Sequence, residues 1–515
     1  MIGHVIKREF LDHLNSLRFA LTVLVMSALM VTNAVVHLQT HPAKVRKYSE
    51  NVNTSRNELQ SQTDLYSLLQ EGPGALYKRP SPLTFIAAGS ETFLPGQGTN
   101  NWGSWRKETF PGVSVKSIWS LDYSTVNPNV RDIRPAATKI DWVFIITYLL
   151  SFIPLLFTFD ALSGERERGT LRLCLANPIS RPALLVGKFL GTLLTVLLPF
   201  YFAVLLNLTV ISTDSWTQFG AADWGRLGMI VLIASGYAGI FIAIGLMVSA
   251  STRESRVSLV ILLIIWVALV VFMPSTLGTL AQKWMAPVQT VHQREMAKAS
   301  ALDQVDESFY AQLEAKLQVS SFLSEFMQLI KTSPEKAGEF AAGKEEALTS
   351  ELAKLQSREV DSGELQIKAE FVNKDVEIRE RLNRAHLAAQ IAQVQRARGI
   401  TRFSPAAIVQ YALESMAGTG LNRHLQFLAR VDVHIKAFRN FIVDTDRADT
   451  ESPHIIGIPE GMSKKPISSR ALPTYEDKIT FSDTVNAAMV DILLLMLLFV
   501  VFLSGAFLVF IRSEV

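Results

Sequence analysis

Long apolar runs alternate with polar segments along this chain of 515 residues. Six of the runs hold the roughly 20 mostly apolar residues that a helix needs to cross the hydrocarbon core of a membrane. The first run is too long for the apolar part of a signal peptide, so we interpret it as a retained span. The sequence therefore predicts a mainly α, polytopic membrane protein with spans at 17–36, 142–160, 189–212, 226–249, 257–277 and 487–511.

The orientation of the spans follows from the basic residues in the short connections. Residues 1–16 have the pattern of a helix lying in the membrane interface. With the N-terminus inside, the loops 161–188 and 250–256 and the tail 512–515 are also inside, and the short loop 213–225, which has no lysine or arginine, is outside. We therefore expect both termini to be cytoplasmic. The basic residues on the inner side are Lys7, Arg8, Arg18, Arg166, Arg168, Arg172, Arg181, Lys188, Arg253, Arg256 and Arg512.

Two long segments, 37–141 and 278–486, then lie outside the membrane. The first is rich in glycine and proline between short β-prone stretches, which predicts a small mixed domain. The second predicts a helical stalk, because 334–398 lacks proline beyond its first residue and is rich in helix-forming residues. Asp361-Ser362-Gly363 would divide it into two helices that pack as an antiparallel hairpin. The hairpin is either purely structural or in contact with a substrate.

Composition and charge exclude several classes of protein. Hydrophobic residues make up 49% of the chain, which excludes intrinsic disorder. The net charge is only +3, from 50 basic and 47 acidic residues, and this argues against binding to nucleic acid. Cys174 is the one cysteine, so the outer segments must fold without an intrachain disulfide.

The sequence has no motif for binding a nucleotide, for zinc peptidase chemistry or for a serine nucleophile. We therefore expect no catalytic site, no metal and no cofactor bound by this chain. Polar residues inside spans can mark an ion path, and the candidates here are Asn33, Asn207 and Asp491. Each of them can instead form a helix-packing or interfacial contact. A carrier driven by protons or ions would normally need more such groups.

The loop after the second predicted span carries the most informative motif. Ser163 can cap a short helix, Gly169 permits a break, and Thr170 can start a second short helix. Between them lie the alternating charges of Glu165, Arg166, Glu167 and Arg168. Anionic lipid would require only the arginines, so the alternation favours paired recognition of another protein.

This loop resembles that of the ABC-2 type permeases, which are the transmembrane subunits of ATP-binding-cassette transporters. The resemblance rests on residues 163–171, which read SGERERGTL, on 177–181, which read NPISR, and on Gly187-Lys188. A second resemblance, to a subgroup with large outer loops, covers the segment before the last span. Its residues here are Ser404, Pro405, Gly418, Thr419 and Gly420.

The resemblance implies a function and a set of partners. In such permeases the loop after span two forms a coupling helix that docks on a separate ATPase, and that role would fall on Gly164, Glu165, Arg166, Glu167, Arg168, Gly169 and Thr170. Two permease chains, identical or paralogous, would assemble with two ATPase copies, which bind ATP and Mg²⁺. The chain would then be a non-catalytic exporter subunit in a bacterial inner membrane.

Two other functions stay open at this point. The chain could be a membrane-anchored scaffold whose outer stalk binds an extracytoplasmic protein, or it could be a secondary transporter. Membrane lipid is an expected partner in every case, whereas nucleic acid is not. A gene for an ABC-type ATPase beside this one would favour the permease.

Overall fold

The structure is a computed structural model. It describes residues 2–62, 64–87, 112–115, 121–122, 140–172, 180–214, 216–284, 291–317, 325–326, 329–330, 333–356, 362–468 and 471–512.

Within these residues, six helical segments are long and apolar enough to cross a membrane. The prediction of a mainly α protein with six spans is therefore confirmed. The spans are α2 (Leu17–Gln60), the run Trp142–Glu167, α7 (Arg181–Ile211), α8 (Ala221–Ser251), the run Ser255–Ala281 and α17 (Phe481–Arg512). The second run contains α4 (Trp142–Phe144), a π-helical turn (Ile145–Leu149), α5 (Leu150–Thr158) and α6 (Ser163–Glu167). The fifth run contains α9 (Ser255–Trp266), a π-helical turn (Val267–Phe272) and most of α10 (Met273–Trp284).

Spans three, four and six begin at least five residues earlier than predicted because polar residues cap them. Span four begins at Ala221, within the predicted loop 213–225, and the Asp223 carboxylate accepts a hydrogen bond from the Gly220 N–H (3.0 Å). Residues 181–188 belong to α7 and not to a loop, since Ser180 accepts a hydrogen bond from the N–H of Ala183 (3.4 Å) and Pro182 lies in the first turn. α17 begins at Phe481, where the Thr480 hydroxyl accepts a hydrogen bond from the Asp483 N–H (3.2 Å).

Both ends of the chain lie at one end of the helix bundle. The N-terminal helix α1 (Ile2–Leu14) packs on the start of α7, and Arg181 Nη1 donates to the carbonyl of Ile511 at the end of α17 (2.7 Å). We call this end the terminal face; it is formed by α1 and by residues 160–172, 180–188, 250–256 and 509–512.

The first span extends far beyond residue 36. α2 starts after Ser16, whose hydroxyl accepts from the Phe19 N–H (3.2 Å), and continues for 44 residues. Its polar half stays helical because it packs on residues 75–85. The buried ring of His37 meets that of Phe85 edge to face, with the centroids 5.2 Å apart, and the Ser55 hydroxyl donates to the carbonyl of Ala75 (2.8 Å). The prediction that a mixed domain starts at residue 37 is therefore wrong.

A small antiparallel sheet follows α2 and a short helix, α3 (Leu65–Glu71). Its strands are β1 (Gly74–Tyr77), β2 (Gly112–Val115) and β3 (Leu121–Asp122), in that spatial order. Gly74 pairs with Val115, and Val115 also pairs with Leu121. The sheet lies in the segment predicted to be mixed, and the rest of 88–139 lies outside the described residues.

The hairpin predicted for 334–398 forms with a different partner. α14 (Ser362–Thr401) begins in the expected break, but it packs on α11 (Val291–Leu317) and α10, and α12 (Pro334–Gly343) and α13 (Glu345–Gln356) are mostly exposed where described. Phe309 of α11 supplies the apolar contact, with its ring 4.3 Å from that of Phe371. The hydroxyl of Ser404, just after α14, donates to the carbonyl of Leu269, just before α10 (2.7 Å). Since the end of α14 meets the start of α10 while earlier residues of α14 meet α11, the segment α10–α11 and helix α14 run antiparallel.

Residues 278–486 do not form one outer domain, because α15 (Pro405–Met416) is buried among the spans. Ile408, Val409 and Leu413 share a core cluster with Tyr237 of α8 and Leu495 of α17. α15 also contacts both π-helical turns. Its apolar side chains are removed from water because they pack on the ends of four spans. The prediction that 278–486 is a single outer helical domain is therefore wrong at α15, which belongs to the helix bundle.

The second family-like motif builds the turn that follows α15. Gly418 and Gly420 have φ angles of +69° and +81°, which side-chain-bearing residues rarely adopt. The N–H of Thr419 donates to the carbonyl of Glu414 (2.9 Å), and the Ser81 hydroxyl donates to that of Ala417 (2.6 Å). The motif therefore reverses the chain into α16 (Gly420–Arg447) and ties it to the segment after β1.

Two buried histidines in α16 predict a pH-dependent stability. Burial, with the nearby charges of Lys78 and Arg423, lowers the pKa of His424 to about 3, and burial lowers that of His434 to about 4. Both rings are neutral when folded but gain protons on unfolding below pH 6.5. Stability should therefore fall as the pH falls, by about 2 kcal/mol for each histidine between pH 7 and pH 5. Thermal unfolding of the purified protein at the two pH values measures this loss, and a His424→Gln/His434→Gln variant should show less pH dependence. An equal dependence in both proteins would contradict the assignment.

Candidate functional site at the terminal face

Helix α1 lies unusually close to α7 because glycines face it. A Cβ atom at Gly187 would be 2.7 Å from Cγ1 of Val5, and one at Gly191 would be 2.8 Å from Cβ of Glu9. Neither distance is possible for real side chains. The two glycines thus let the N-terminal helix pack directly on the third span, beside Lys188.

Lys188 is the centre of a buried ion-pair network. Its side chain is 2% exposed, and its ammonium group is paired with the Glu9 carboxylate and, at 2.9 Å, with Oε1 of Glu165. Glu9 belongs to α1, Lys188 to α7 and Glu165 to α6. One cation therefore joins the N-terminal helix, the third span and the short helix of the motif.

The start of α6 is capped by another helix. The hydroxyl of Ser249, in α8, accepts hydrogen bonds from the N–H groups of Leu162 and Ser163, both at 3.0 Å. The Ser163 hydroxyl donates instead to the carbonyl of Phe159 (2.7 Å). The interpretation of Ser163 as the helix cap is therefore wrong, and α6 depends on α8 for its first turn.

Arg166 fixes the other side of α6 to the end of α8. Its Nη1 donates to the carbonyls of Ala250 (3.1 Å) and Thr252 (2.8 Å). These carbonyls lie where α8 ends and have no partner further along that helix. The side chains of Glu165 and Arg166, both half-buried, therefore bond to α7 and to the end of α8 within this chain.

The next four residues, Glu167, Arg168, Gly169 and Thr170, are exposed. The Glu167 carboxylate accepts from the hydroxyl of Ser255 at the start of α9 (3.0 Å), and Arg168 Nε donates to the carbonyl of Gly164 (3.1 Å). Gly169 has φ of +72°, which allows the chain to turn sharply. We call residues 167–170 the exposed tip. It projects from a base that three other helices hold in place.

The structure divides the residues predicted to contact a partner into two groups. Gly164 is buried, Glu165 and Arg166 belong to the base, and the other four form the exposed tip. Glu9 and Lys188 were not predicted as site residues. The sequence did contain a signal for Lys188: a lysine next to Gly187 within the apolar start of span three needs a buried partner.

Asn33 and Asn207 tie helices together. Asn207 Nδ2 donates to Oδ1 of Asn33 (3.0 Å) and to the carbonyl of Met30 (2.6 Å). Asn33 Nδ2 donates to the carbonyls of Phe85 (3.0 Å) and Ile140 (2.9 Å). These bonds connect α2, α7 and the segments around the second span, which is the helix-packing alternative considered for them.

Asp491 is paired at the end of the bundle opposite to the terminal face. Its side chain is fully buried, and Arg402 Nε and Nη2 donate to its two oxygens at 2.6 and 3.1 Å. Arg398 forms a second buried ion pair there with Glu414 (3.1 Å). These pairs join α15 and the segment before it to span six. No group of three or more potential metal ligands occurs among the residues that the structure describes.

Comparison with known families agrees with this architecture. Residues 4–515 match the family model described as ABC-2 family transporter protein. The chain belongs to the ABC-2 transporter family. The match covers the six spans, the exposed tip and the turn after α15.

Two curated relatives are similar over shorter stretches, and both are described as probable ABC transporter permease protein NosY. The one from Pseudomonas aeruginosa is 47% identical over 55 residues, which are 11% of this chain and 20% of the relative. The one from Stutzerimonas stutzeri is 29% identical over 134 residues, which are 25% of this chain and 47% of the relative. The chain thus matches less than half the length of either relative.

Proposed function

We propose that this ABC-2 family chain is the transmembrane subunit of an ATP-driven exporter, and that a separate ATPase docks on the exposed tip. The observation that carries the proposal is the contrast between the tip and its base. Residues 167–170 are exposed, whereas Glu165 and Arg166 are bonded to α7 and α8. A force on the tip would therefore reach the spans directly.

Charge around the tip indicates the chemistry of the partner. Four arginines, Arg168, Arg172, Arg253 and Arg256, are exposed around the tip, against the two exposed carboxylates of Glu167 and Glu254. Complementary potentials across an interface favour specific association. We expect the ATPase surface that meets the tip to be mainly acidic.

The remaining features of the assembly follow from the same proposal. Two copies of the chain, or this chain and a paralogue, would assemble with two ATPases that bind ATP and Mg²⁺. The terminal face and both chain termini would be cytoplasmic in a bacterial inner membrane. The basic residues collected on that face support this orientation.

Copurification tests the docking surface. Arg168→Glu and Thr170→Glu should each reduce recovery of the ATPase and its turnover by at least about tenfold, because each places a new negative charge against the mainly acidic surface, and like charges across an interface cost several kcal/mol. Insertion and folding should be unchanged, since both side chains are exposed. The measurements are identification of the copurifying ATPase in mild detergent and ATP turnover in lipid nanodiscs.

Arg447→Glu is the matched control, because Arg447 is an exposed arginine far from the terminal face, at the end of α16. It should leave recovery and turnover at the wild-type level. Wild-type recovery with both tip variants would disprove docking at the tip.

A further inference from the structure

An apolar groove lies on the surface of the bundle between α7 and α17, next to the terminal face. Its volume is about 620 Å³, within the usual range for ligand sites. Leu185 and Phe189 form a buried floor, and Val186 and Leu508, 40% and 55% exposed, lie on opposite walls. The groove stays open because both helices pack on α8 behind it, through residues such as Leu246.

Specific contacts mark both ends of the groove. Towards the middle of the bundle, the ring of Phe189 meets that of Phe499 edge to face, with the centroids 6.0 Å apart. At the terminal face, Arg181 Nη1 bridges to the carbonyl of Ile511. The next residue, Arg512, is exposed. Arg181 lies four positions before Leu185 on α7, and Arg512 lies four positions after Leu508 on α17, so both arginines continue the rows of residues that line the groove. The groove therefore has an aromatic stop at one end and two arginines at the other.

The length of the groove matches one leaflet of a membrane. Arg181 and Phe189 are eight positions apart on a helix, which corresponds to about 12 Å at 1.5 Å per residue. One leaflet of hydrocarbon is about 15 Å deep. A chain entering from the arginines would end near the aromatic stop.

We propose that this groove binds one anionic phospholipid, with an acyl chain between α7 and α17 and its phosphate at Arg181 and Arg512. Apolar walls require a hydrocarbon occupant, and the guanidinium groups select a negative headgroup, because basic pockets between spans bind anionic lipid headgroups. A second copy of the chain could pack on the apolar walls, but it would not require the two arginines at the end of the groove. The site is distinct from the exposed tip and does not depend on an ATPase.

Native mass spectrometry of the purified chain in mild detergent tests the site. Phosphatidylglycerol and phosphatidylcholine with identical chains are titrated separately. Wild type should retain one phosphatidylglycerol with at least about tenfold preference, since each basic residue near an anionic group contributes about a factor of five. Arg181→Gln/Arg512→Gln should bind both lipids equally, whereas Val186→Trp/Leu508→Trp should bind neither tightly.

Arg253→Gln is the control for headgroup selection, because Arg253 is an exposed arginine on the same face but outside the groove. It should keep the wild-type preference. Equal retention of the two lipids by wild type, or a preference that survives in the double glutamine variant, would overturn the proposal. Dissociation of a dimer by the tryptophan variant, with lipid retention unchanged, would assign the groove to a second copy instead.

Discussion

Replacing Lys188 by methionine should destabilise the protein by about 3–5 kcal/mol, because breaking a buried ion pair leaves uncompensated charge. Methionine keeps the apolar stem of the lysine but removes the ammonium group between Glu9 and Glu165, where only 2% of the lysine side chain is exposed. α1 and α6 would then present two carboxylates to each other. Thermal unfolding in detergent measures the loss.

The triple variant Lys188→Met/Glu9→Gln/Glu165→Gln serves as the control, since it removes all three charges together. It should recover much of the lost stability. If the single Lys188→Met variant unfolds at the same temperature as wild type, the network does not hold α1 and α6 in place.

The same network separates folding from docking. Glu165→Lys should lower the yield of folded protein, because it places a second cation beside buried Lys188. Arg168→Glu should leave the yield unchanged and act on the partner alone. Charge reversal at Glu165 is therefore not a test of contact with an ATPase, although the sequence pattern places it in the same motif.

Arg402→Met should also destabilise by about 3 kcal/mol or more, since it leaves the fully buried Asp491 carboxylate without its bidentate partner. Asp491→Asn should have a smaller effect, because the Arg402 side chain is 27% exposed and can turn towards water. Unfolding temperatures of the two variants give the comparison.

The double variant Arg402→Met/Asp491→Leu should be more stable than Arg402→Met, because no buried charge remains. Equal unfolding temperatures for Arg402→Met and wild type would mean that Asp491 is protonated and makes no ion pair. That result would return Asp491 to the candidates for a proton path.

The apolar runs were sufficient to predict six spans, because transfer of a long helix into hydrocarbon depends on local composition alone. The polar half of α2 and the burial of α15 could not be predicted in this way. Residues 37–60 are helical through contacts such as Ser55 with Ala75, which are distant in sequence. α15 is too short for a span, and its burial depends on the surfaces of four other helices.

Only the local features of the candidate site could be predicted from the sequence. The motif located the turn at Gly169 and the charged residues around it, because backbone and charge patterns are local. The direction of each side chain was not predictable. Glu165 faces inwards because Lys188 lies there, and Lys188 can be buried only because Glu9 reaches it across the contact that Gly187 and Gly191 allow.

The length of α2 gives it the properties of a lever with a joint at Pro42, where the proline ring removes one main-chain hydrogen bond. Its 44 residues span about 66 Å at 1.5 Å per residue, more than twice the thickness of membrane hydrocarbon. One end is anchored near the terminal face, where Arg18 bonds to the carbonyl of Leu156 (2.9 Å), and the other carries Ser55 against β1. A tilt of about 5° at the anchored end would displace the far end by about 6 Å. Small rotations at the terminal face would be amplified at the sheet to the extent that the helix stays straight at Pro42.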